Sequence, residues 1–326
     1  MRRSELAGAL FFLACLQACQ REREAPRAEV VPSAASEDSV AVATVPSGRA
    51  VSDEALYLTR APVGARSIGN TSFVLKVKFE GGLEAAFKPR SQRPRGTERY
   101  KAEVAAYRLG LALGLTQIPR AFPRTFAAST LRSVFGGGAA VFEREAFPGP
   151  DGSLPGALIP WIPKLEFPAL DRDPLRARWE KWLTSDEPIA QADRSMAAQI
   201  STMLVFDYVT ANWDRWSGGN IGWIAATGTV VFIDNDGAFY DTPPSDWLAR
   251  QHALLRRVRV FSRRLVTSLR ALSRERLGEA MGEERPGIPL LAAGLLDAAD
   301  ARRRRVLEVI GARVLLAGED RAFGFE

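Results

Sequence analysis

Two carboxylates in this sequence each follow directly on a strongly apolar segment. Asp214 lies in Asn-Trp-Asp-Arg, just after the apolar run 196–211, and Asp234 follows Val-Phe-Ile in Ile-Asp-Asn-Asp-Gly. Because an unpaired charge is costly to bury, a carboxylate at the exit of a buried element indicates a site more readily than it indicates packing. The pattern therefore predicts that Asp214 and Asp234 do chemistry.

A lysine and a glutamate precede these carboxylates in an informative order. Lys88 lies on a predicted strand in Ala-Phe-Lys-Pro, and Glu103 lies on the predicted helix that follows. Lysine is scarce, with only six lysines among 44 basic residues, so a lysine inside a strand is rarely incidental. A fixed ammonium with an orienting carboxylate is what phosphoryl transfer needs to hold the phosphates of a nucleotide.

Oxygen ligands for a divalent cation follow in the second half of the chain. Asn220 comes six residues after Asp214, and Asp236 comes two residues after Asp234. Amide and carboxylate oxygens are hard donors that suit Mg²⁺ or Mn²⁺. We expect Asn220 and Asp234 to hold the metal, with Asp236 sharing or taking that role. Asp214 suits the role of the base, the carboxylate that orients or deprotonates the attacking hydroxyl.

Each of these features also has an ordinary structural explanation. A strand lysine before proline is typical of a solvated edge, and a lone helix glutamate such as Glu103 is typical of an exposed face. The segments around Asp214 and Asp234 are each compatible with a simple turn. The ordered combination is much less ordinary than its parts, and it favours an active site.

Hydrophobic periodicity indicates the elements that position the lysine and the glutamate. Residues 71–79 alternate as a strand, a glycine pair makes a turn, and 83–88 returns as the second strand of a hairpin. The preceding segment 64–71 is predicted to be a flexible glycine-containing loop. Within it, Gly69 and Asn70 are candidate contacts for a nucleotide.

The rest of the chain is mostly helical in pattern. The predicted elements are a helix at 98–113, a strand-like stretch at 134–142, a Pro-rich irregular region at 146–193 with a short helix at 175–183, a buried helix at 196–211, strands at 221–224 and 230–233, and helices from Trp247 onward with a break near Pro286 and Gly287. A strand-rich part before a helix-rich part predicts an α+β fold of two lobes with a cleft between them. We place the domain at 56–326, with the N-lobe at about 56–145 and the C-lobe at about 146–326.

The N-terminus has the layout of an export signal. Arg2 and Arg3 precede the apolar run 6–16, which is too short to span a bilayer of about 30 Å as a helix. Residues 1–19 are therefore predicted to be a signal peptide.

The end of this signal resembles a bacterial lipoprotein box. Leu-Gln-Ala-Cys ends at Cys19, which would carry the lipid, while Cys15 ends a weaker candidate. An uncleaved start or an ordinary signal peptide is the alternative. Residues 20–55 have no aromatic side chain and are predicted to be a disordered linker. The expected location is an exported protein, lipid-anchored to a bacterial cell-envelope membrane.

Composition excludes several other kinds of site. Both cysteines lie within the first 19 residues, so the rest of the chain forms no disulfide and no thiolate metal site. The single histidine, His252, cannot build a His-rich zinc site, and nothing around it is typical of a serine hydrolase. The formal net charge of +6 favours anionic partners in general.

At the residues singled out above, the chain resembles the secretory-pathway kinase family, the group of the Golgi casein kinase, xylosylkinase and four-jointed. The matching segments are Leu83-Glu-Ala-Ala-Phe-Lys-Pro89, Ala102-Glu-Val-Ala-Ala-Tyr-Arg-Leu109, Leu113-Gly-Leu115 with Ile118-Pro119, Gly152-Ser-Leu154, Phe206-Asp207, Asn212-Trp-Asp-Arg215 and Ile233-Asp-Asn235. Together they run from about residue 70 to 280, and they are specific as a set.

This resemblance implies a bilobal atypical kinase fold and an ATP-dependent phosphotransferase that uses Mg²⁺ or Mn²⁺. The acceptor would be a hydroxyl of a protein Ser/Thr or of a glycan. Carried over by motif, Lys88 would contact nucleotide phosphate and Glu103 would lie near phosphate or metal. Asp214 would be the catalytic base and Asp234 a metal ligand. The family has a second lysine on the preceding strand. In this chain the nearest lysine on the same strand face is Lys76.

The chain also departs from the family pattern. The family's His-His after Asp-Arg is Trp216-Ser217 here, and the family's disulfides are absent. These departures leave room for a catalytically inactive nucleotide-binding lipoprotein. A phosphatidylinositol or HipA-like kinase is a further alternative, since Asn220 loosely matches an asparagine of those enzymes.

Arginines at 250–276 and 302–305 would suit an anionic lipid or a nucleic acid. Interspersed apolar residues make most of these arginines more typical of a solvated helix face. Few aromatic residues flank them, so nucleic acid is disfavoured as a partner.

Overall fold

The computed structural model describes residues 54–69 and 72–325. The predicted signal peptide, the lipid attachment site at Cys19, most of the predicted linker and Asn70 lie outside the described residues. All of the described residues fall within one compact unit.

After a short helical segment at 54–59, strands and helices alternate irregularly along the chain. The strands are β1 (Pro62–Ser67), β2 (Leu75–Phe79), β3 (Glu84–Pro89), β4 (Phe122–Ala127), β5 (Ser153–Pro160), β6 (Ile221–Ile224), β7 (Thr229–Phe232), β8 (Glu283–Arg285) and β9 (Ile288–Pro289). The helices are α1 (Arg99–Leu113), α2 (Ala128–Ser133), α3 (Ala139–Glu145), α4 (Leu175–Thr184), α5 (Gln191–Thr210), α6 (Ser245–Arg257), α7 (Arg263–Ala271), α8 (Arg274–Met281), α9 (Ala293–Ala317) and α10 (Glu319–Ala322).

The first five strands form one antiparallel sheet in the order β1-β2-β3-β5-β4. The predicted hairpin of β2 and β3 is confirmed, with Lys76 paired to Ala86. Alternation along β2 and β3 sends Leu75, Val77 and Phe87 to an apolar core on one face of the sheet. Lys76 and Lys88 therefore lie on the opposite face.

Two predictions for the first part of the chain were wrong. The stretch 134–142 is not a strand: α2 ends before it, a glycine-rich turn follows, and α3 begins at Ala139. Ala-Ala-Val-Phe-Glu-Arg-Glu is rich in helix formers, and Phe142 buries itself against the sheet. The loop predicted at 64–71 begins only after β1, because 62–67 pair with β2.

The region 146–193, predicted to be irregular, contains β5. This strand lies between β3 and β4 although it carries Pro155 and Pro160, which are uncommon inside sheets. A Cβ added at Gly156 would lie 2.5 Å from the carbonyl oxygen of Lys88, so glycine permits this close approach of β5 to β3. The short helix expected near 175–183 is confirmed as α4.

The second part of the chain is built around α1 and α5. Both helices were predicted, and both contribute to a large apolar core that also takes in α6 to α9. From Ile200 to Thr210 every residue of α5 is buried, which matches its apolar sequence. The hairpin of β6 and β7 and the break near Pro286, where β8 and β9 form, are also confirmed.

This arrangement confirms the predicted α+β fold, a strand-rich part before a mainly helical one. Among the residues that the structure describes, no helix is both long enough and apolar enough to cross a membrane.

Candidate active site

Lys88 is the centre of a cluster of charged side chains between the sheet and α1. Its Nζ lies 2.5 Å from Oε1 of Glu103, 2.5 Å from Oδ1 of Asp234 and 3.3 Å from Oδ2 of Asp236. Lys88 is only 8% exposed. The structure therefore brings together four of the residues that the sequence analysis singled out, from β3, from α1 and from the segment after β7.

Arg99 is a fifth member that sequence analysis did not single out. It lies one turn before Glu103 on α1, and its Nη2 donates to Oδ1 of Asp236 at 2.5 Å. The available signal was the spacing of four residues, which puts Arg99 and Glu103 on one helix face. Arg99 and Lys88 together engage both oxygens of Asp236.

The three carboxylates of this cluster could hold a metal ion. Oxygens of Glu103, Asp234 and Asp236 all lie within 4.8 Å of one another. Lys88 and Arg99 offset part of the negative charge, and burial raises the pKa of Glu103 above its usual range. Three hard oxygen donors at this spacing fit Mg²⁺ or Mn²⁺.

Charge and burial set the protonation states in the cluster. Burial would lower the pKa of Lys88, but Asp234, Asp236 and Glu103 outweigh it and raise that pKa well above its usual range. Burial would raise the pKa of Asp234, but Lys88 and then Arg99 outweigh it and lower that pKa. Lys88 therefore stays cationic and Asp234 stays ionised at neutral pH.

Asp214 lies in a turn that follows the C-terminus of α5 and is held by two asparagines. Its backbone N–H donates to Oδ1 of Asn212 at 3.3 Å, and its carbonyl accepts from Nδ2 of Asn220 at 2.9 Å. Asn220 also donates to Oγ of Ser217 at 3.2 Å. The structure thus places Asn220, predicted as a metal ligand, where its amide nitrogen orders the Asp214 turn.

Burial raises the pKa of the Asp214 carboxyl. The nearby Ser217 hydroxyl, which donates to the Asp214 backbone carbonyl at 2.8 Å, opposes this rise, and the charges of Asp234 and Asp236 add to it. A carboxylate with a raised pKa accepts a proton more readily, which suits a general base.

Arg215 connects the Asp214 turn to the Asp234 segment. It is fully buried, and its Nε lies 3.0 Å from Oδ2 of Asp207 on α5. Its Nη1 donates to the carbonyls of Asn220, at 2.7 Å, and Ile233, while its Nη2 donates to Oδ1 of Asn235 at 2.6 Å. A single guanidinium therefore fixes α5 and both loops that carry the aspartates.

The two aspartate loops are in direct contact at Gly237. A Cβ added at Gly237 would lie 2.8 Å from Cβ of Asp214, closer than real Cβ atoms come. Asp234 has φ +55°, a left-handed conformation that is rare for residues other than glycine. Such strain is often found at functional sites, and it supports a role for this segment.

The structure describes two further candidates for nucleotide contact, Gly69 and Lys76. The loop after β1 is closed by a hydrogen bond of 2.9 Å from the Ile68 N–H to the Val74 carbonyl, and it contains Gly69. Residues 72–74 of this loop line a pocket together with Lys88 and Asp236. Lys76, on the same sheet face, pairs instead with Glu84, at 2.8 Å.

The site thus combines a sheet lysine, a carboxylate of α1 and the two aspartates after β7. The solved structure of the Golgi casein kinase with Mn/ADP bound is similar, with a TM-score of 0.63 and 16% identity over 85% of this chain and 79% of that chain. The structure of hydra Fam20 with sugar gives a TM-score of 0.65 and 17% identity over 86% of this chain and 93% of that chain. No family model and no curated protein sequence matches the chain. The likeness confirms the predicted atypical kinase fold.

Proposed function

We propose that this chain transfers the γ-phosphoryl group of ATP to a hydroxyl of a protein Ser/Thr or of a sugar. The observation that carries the proposal is the ammonium of Lys88, held between Glu103 and the pair Asp234 and Asp236. A fixed cation beside hard oxygen ligands is what a nucleotide with its metal requires. The likeness in fold to the Golgi casein kinase with Mn/ADP bound and to hydra Fam20 with sugar supports these ligand classes.

Each residue has a separate task in this reaction. Lys88 binds phosphate oxygens of ATP, and Glu103 orients the ammonium. Asp234, with Glu103 or Asp236, holds Mg²⁺ or Mn²⁺, which when bound offsets the negative charge of the phosphates. Asp214 accepts the proton of the acceptor hydroxyl as a bond forms from its oxygen to the γ-phosphorus and the bond to ADP breaks.

The test is to incubate the full chain with labelled ATP, Mn²⁺ and panels of peptides, glycans and lipids. We expect label on a peptide or a glycan, and we expect Asp214→Asn to lower turnover by about 100-fold or more while the protein still folds. Lys88→Ala should weaken nucleotide binding, and an unchanged affinity would remove its phosphate role.

Other outcomes of this test identify the alternatives. Nucleotide binding without transfer to any acceptor would replace the proposal with a catalytically inactive nucleotide-binding module. Label on phosphatidylinositol alone would favour a lipid kinase.

We also propose that Cys19 carries a lipid that anchors the exported protein to a bacterial cell-envelope membrane. The support is the signal-like N-terminus with its lipobox. Cys19→Ser should shift the protein from the membrane to the soluble fraction. A variant that stays membrane-bound would contradict the anchor.

A further inference from the structure

A second cleft, of about 640 Å³, lies away from the candidate active site, between the end of α4, the end of α6 and one face of α9. It shares no lining residue with the pocket around Lys88. A single carboxylate, Glu308, lines it against five arginines. These are Arg256, Arg257, Arg259, Arg305 and Arg313.

Three of these arginines are held in place by the fold. Arg259 donates from Nε to the carbonyl of Thr184 at 2.8 Å, and Arg313 donates from Nε to the carbonyl of Arg259 at 3.2 Å. Arg305 donates from Nη1 to Glu308 at 2.6 Å. Because these side chains are already ordered, they lose less conformational entropy on ligand binding than freely rotating arginine side chains would.

The other two arginines are free to take a ligand. Arg256 and Arg257 are exposed at the end of α6, and neither side chain has a hydrogen-bond or ion-pair partner among residues 54–69 and 72–325. Two unpaired guanidinium groups beside three fixed ones make a positive concave surface.

A carboxylate of the chain itself lies close to two of these arginines. The carboxylate of Asp186 contacts Arg259 and also lies 3.9 Å from Nη2 of Arg313. The Asp186 side chain is 75% exposed, so this carboxylate reaches the arginines from the solvent side. A carboxylate from another chain would meet the same kind of donors, since guanidinium and carboxylate groups are matched in geometry.

An apolar contact lies beside these charges. Leu316 is 84% exposed and lines the cleft on the same face of α9 as Glu308 and Arg305. Its neighbour Leu315 is 88% exposed but does not line the cleft. Leu316 therefore offers an apolar contact directly beside the arginines of the cleft.

We propose that this cleft binds an extended acidic peptide segment of a partner protein, with carboxylates at the arginines and an apolar side chain against Leu316. A peptide fits better than a membrane surface, because the arginines line a concave cleft that a flat bilayer cannot enter. The proposal is independent of the phosphotransferase activity, since it uses none of the residues of the candidate active site.

The test measures binding of the full chain to a short fluorescein-labelled peptide of alternating glutamate and leucine by fluorescence anisotropy. Arg256→Glu with Arg257→Glu should weaken binding at least about tenfold, which corresponds to about 1.4 kcal/mol. The matched control is Arg264→Glu with Arg270→Glu, which makes the same change of charge at exposed positions of α7. Equal weakening by both pairs would overturn the proposal, because it would show only an effect of net charge.

A second pair of variants tests the apolar contact. Leu316→Ser should weaken binding of the glutamate–leucine peptide but not of a glutamate–serine peptide, while Leu315→Ser should change neither. No binding of either peptide would overturn the proposal. Binding of phosphatidylglycerol-containing vesicles that is lost with Arg256→Glu and Arg257→Glu, in the absence of peptide binding, would replace the peptide with a membrane surface.

Discussion

Replacing Gly237 with alanine tests whether the two aspartate loops must lie in direct contact. The added Cβ would lie 2.8 Å from Cβ of Asp214 and 3.1 Å from Oδ1 of Asn212. Carbon atoms prefer separations of about 3.5 Å or more, so the loops must move apart by about 0.7 Å. Gly237 is not among the glycines with positive φ, so the effect comes from the contact and not from the backbone.

This displacement should reduce catalysis much more than it reduces stability. Misplacing reacting groups by about 1 Å can cost about 100-fold in rate, so we expect Gly237→Ala to lower kcat by about 10- to 100-fold. Overpacking of this kind costs about 1–3 kcal/mol, which leaves the protein folded. The assay is Mn²⁺-dependent transfer of labelled phosphate, with thermal unfolding measured on the same samples.

A matched glycine elsewhere provides the control. An alanine Cβ at Gly311, in the last third of α9, would meet no atom within 4 Å apart from its chain neighbours and the backbone of its own helix. Gly311→Ala should keep wild-type turnover and should raise the free energy of unfolding by up to about 1 kcal/mol, because alanine is the better helix former. If Gly237→Ala has the turnover of the wild type, the contact between the loops is not what positions Asp214.

Three further predictions concern the surrounding network. Arg215→Met should lower the free energy of unfolding in urea by about 3–5 kcal/mol, because it leaves a buried carboxylate unpaired; a loss below about 1 kcal/mol would contradict that role. Burial raises the pKa of Asp214 and Ser217 lowers it, so Ser217→Ala should move the acid limb of the pH–rate profile to higher pH, and a limb that stays or moves down would be inconsistent with this. Asp234→Asn should abolish the thermal shift caused by Mn²⁺, whereas Asp236→Asn should lower the melting temperature and keep part of that shift; the reverse pattern would exchange the two roles.

Sequence reasoning predicted the elements whose own side chains determine their structure. β2 alternates strictly between apolar residues and lysines, and α5 is apolar enough to be recognised as a central helix. By contrast, β5 carries two prolines and Gly156, and it is a strand only because β3 and β4 pair with it on both sides. Pairing between distant segments is not visible in local periodicity.

The same distinction applies to the candidate site. Lys88 and Asp234 are 146 positions apart, and their order in the chain, not any spacing, suggested that they would meet. The contacts of Arg99 and Arg215 depend on where α1, α5 and the two aspartate loops converge, which no local pattern records. Lys76 was predicted to contact the nucleotide because of its strand face. It does lie on that face, but its ammonium pairs with Glu84 and lies 4.0 Å from the centroid of the Trp161 ring.

The structure also separates the roles of two aspartates that the sequence left as rivals. Asp236 is 2% exposed, and its two oxygens are engaged by Arg99 and Lys88. The Asp234 side chain is 34% exposed, and only its Oδ1 is hydrogen-bonded by Lys88. A metal that arrives from the cleft needs an accessible oxygen with spare lone pairs, and Asp234 offers one without displacing a cation. Asp236 is therefore better placed to hold Lys88 and Arg99 in position, so that Asp234 is the aspartate left to meet the metal.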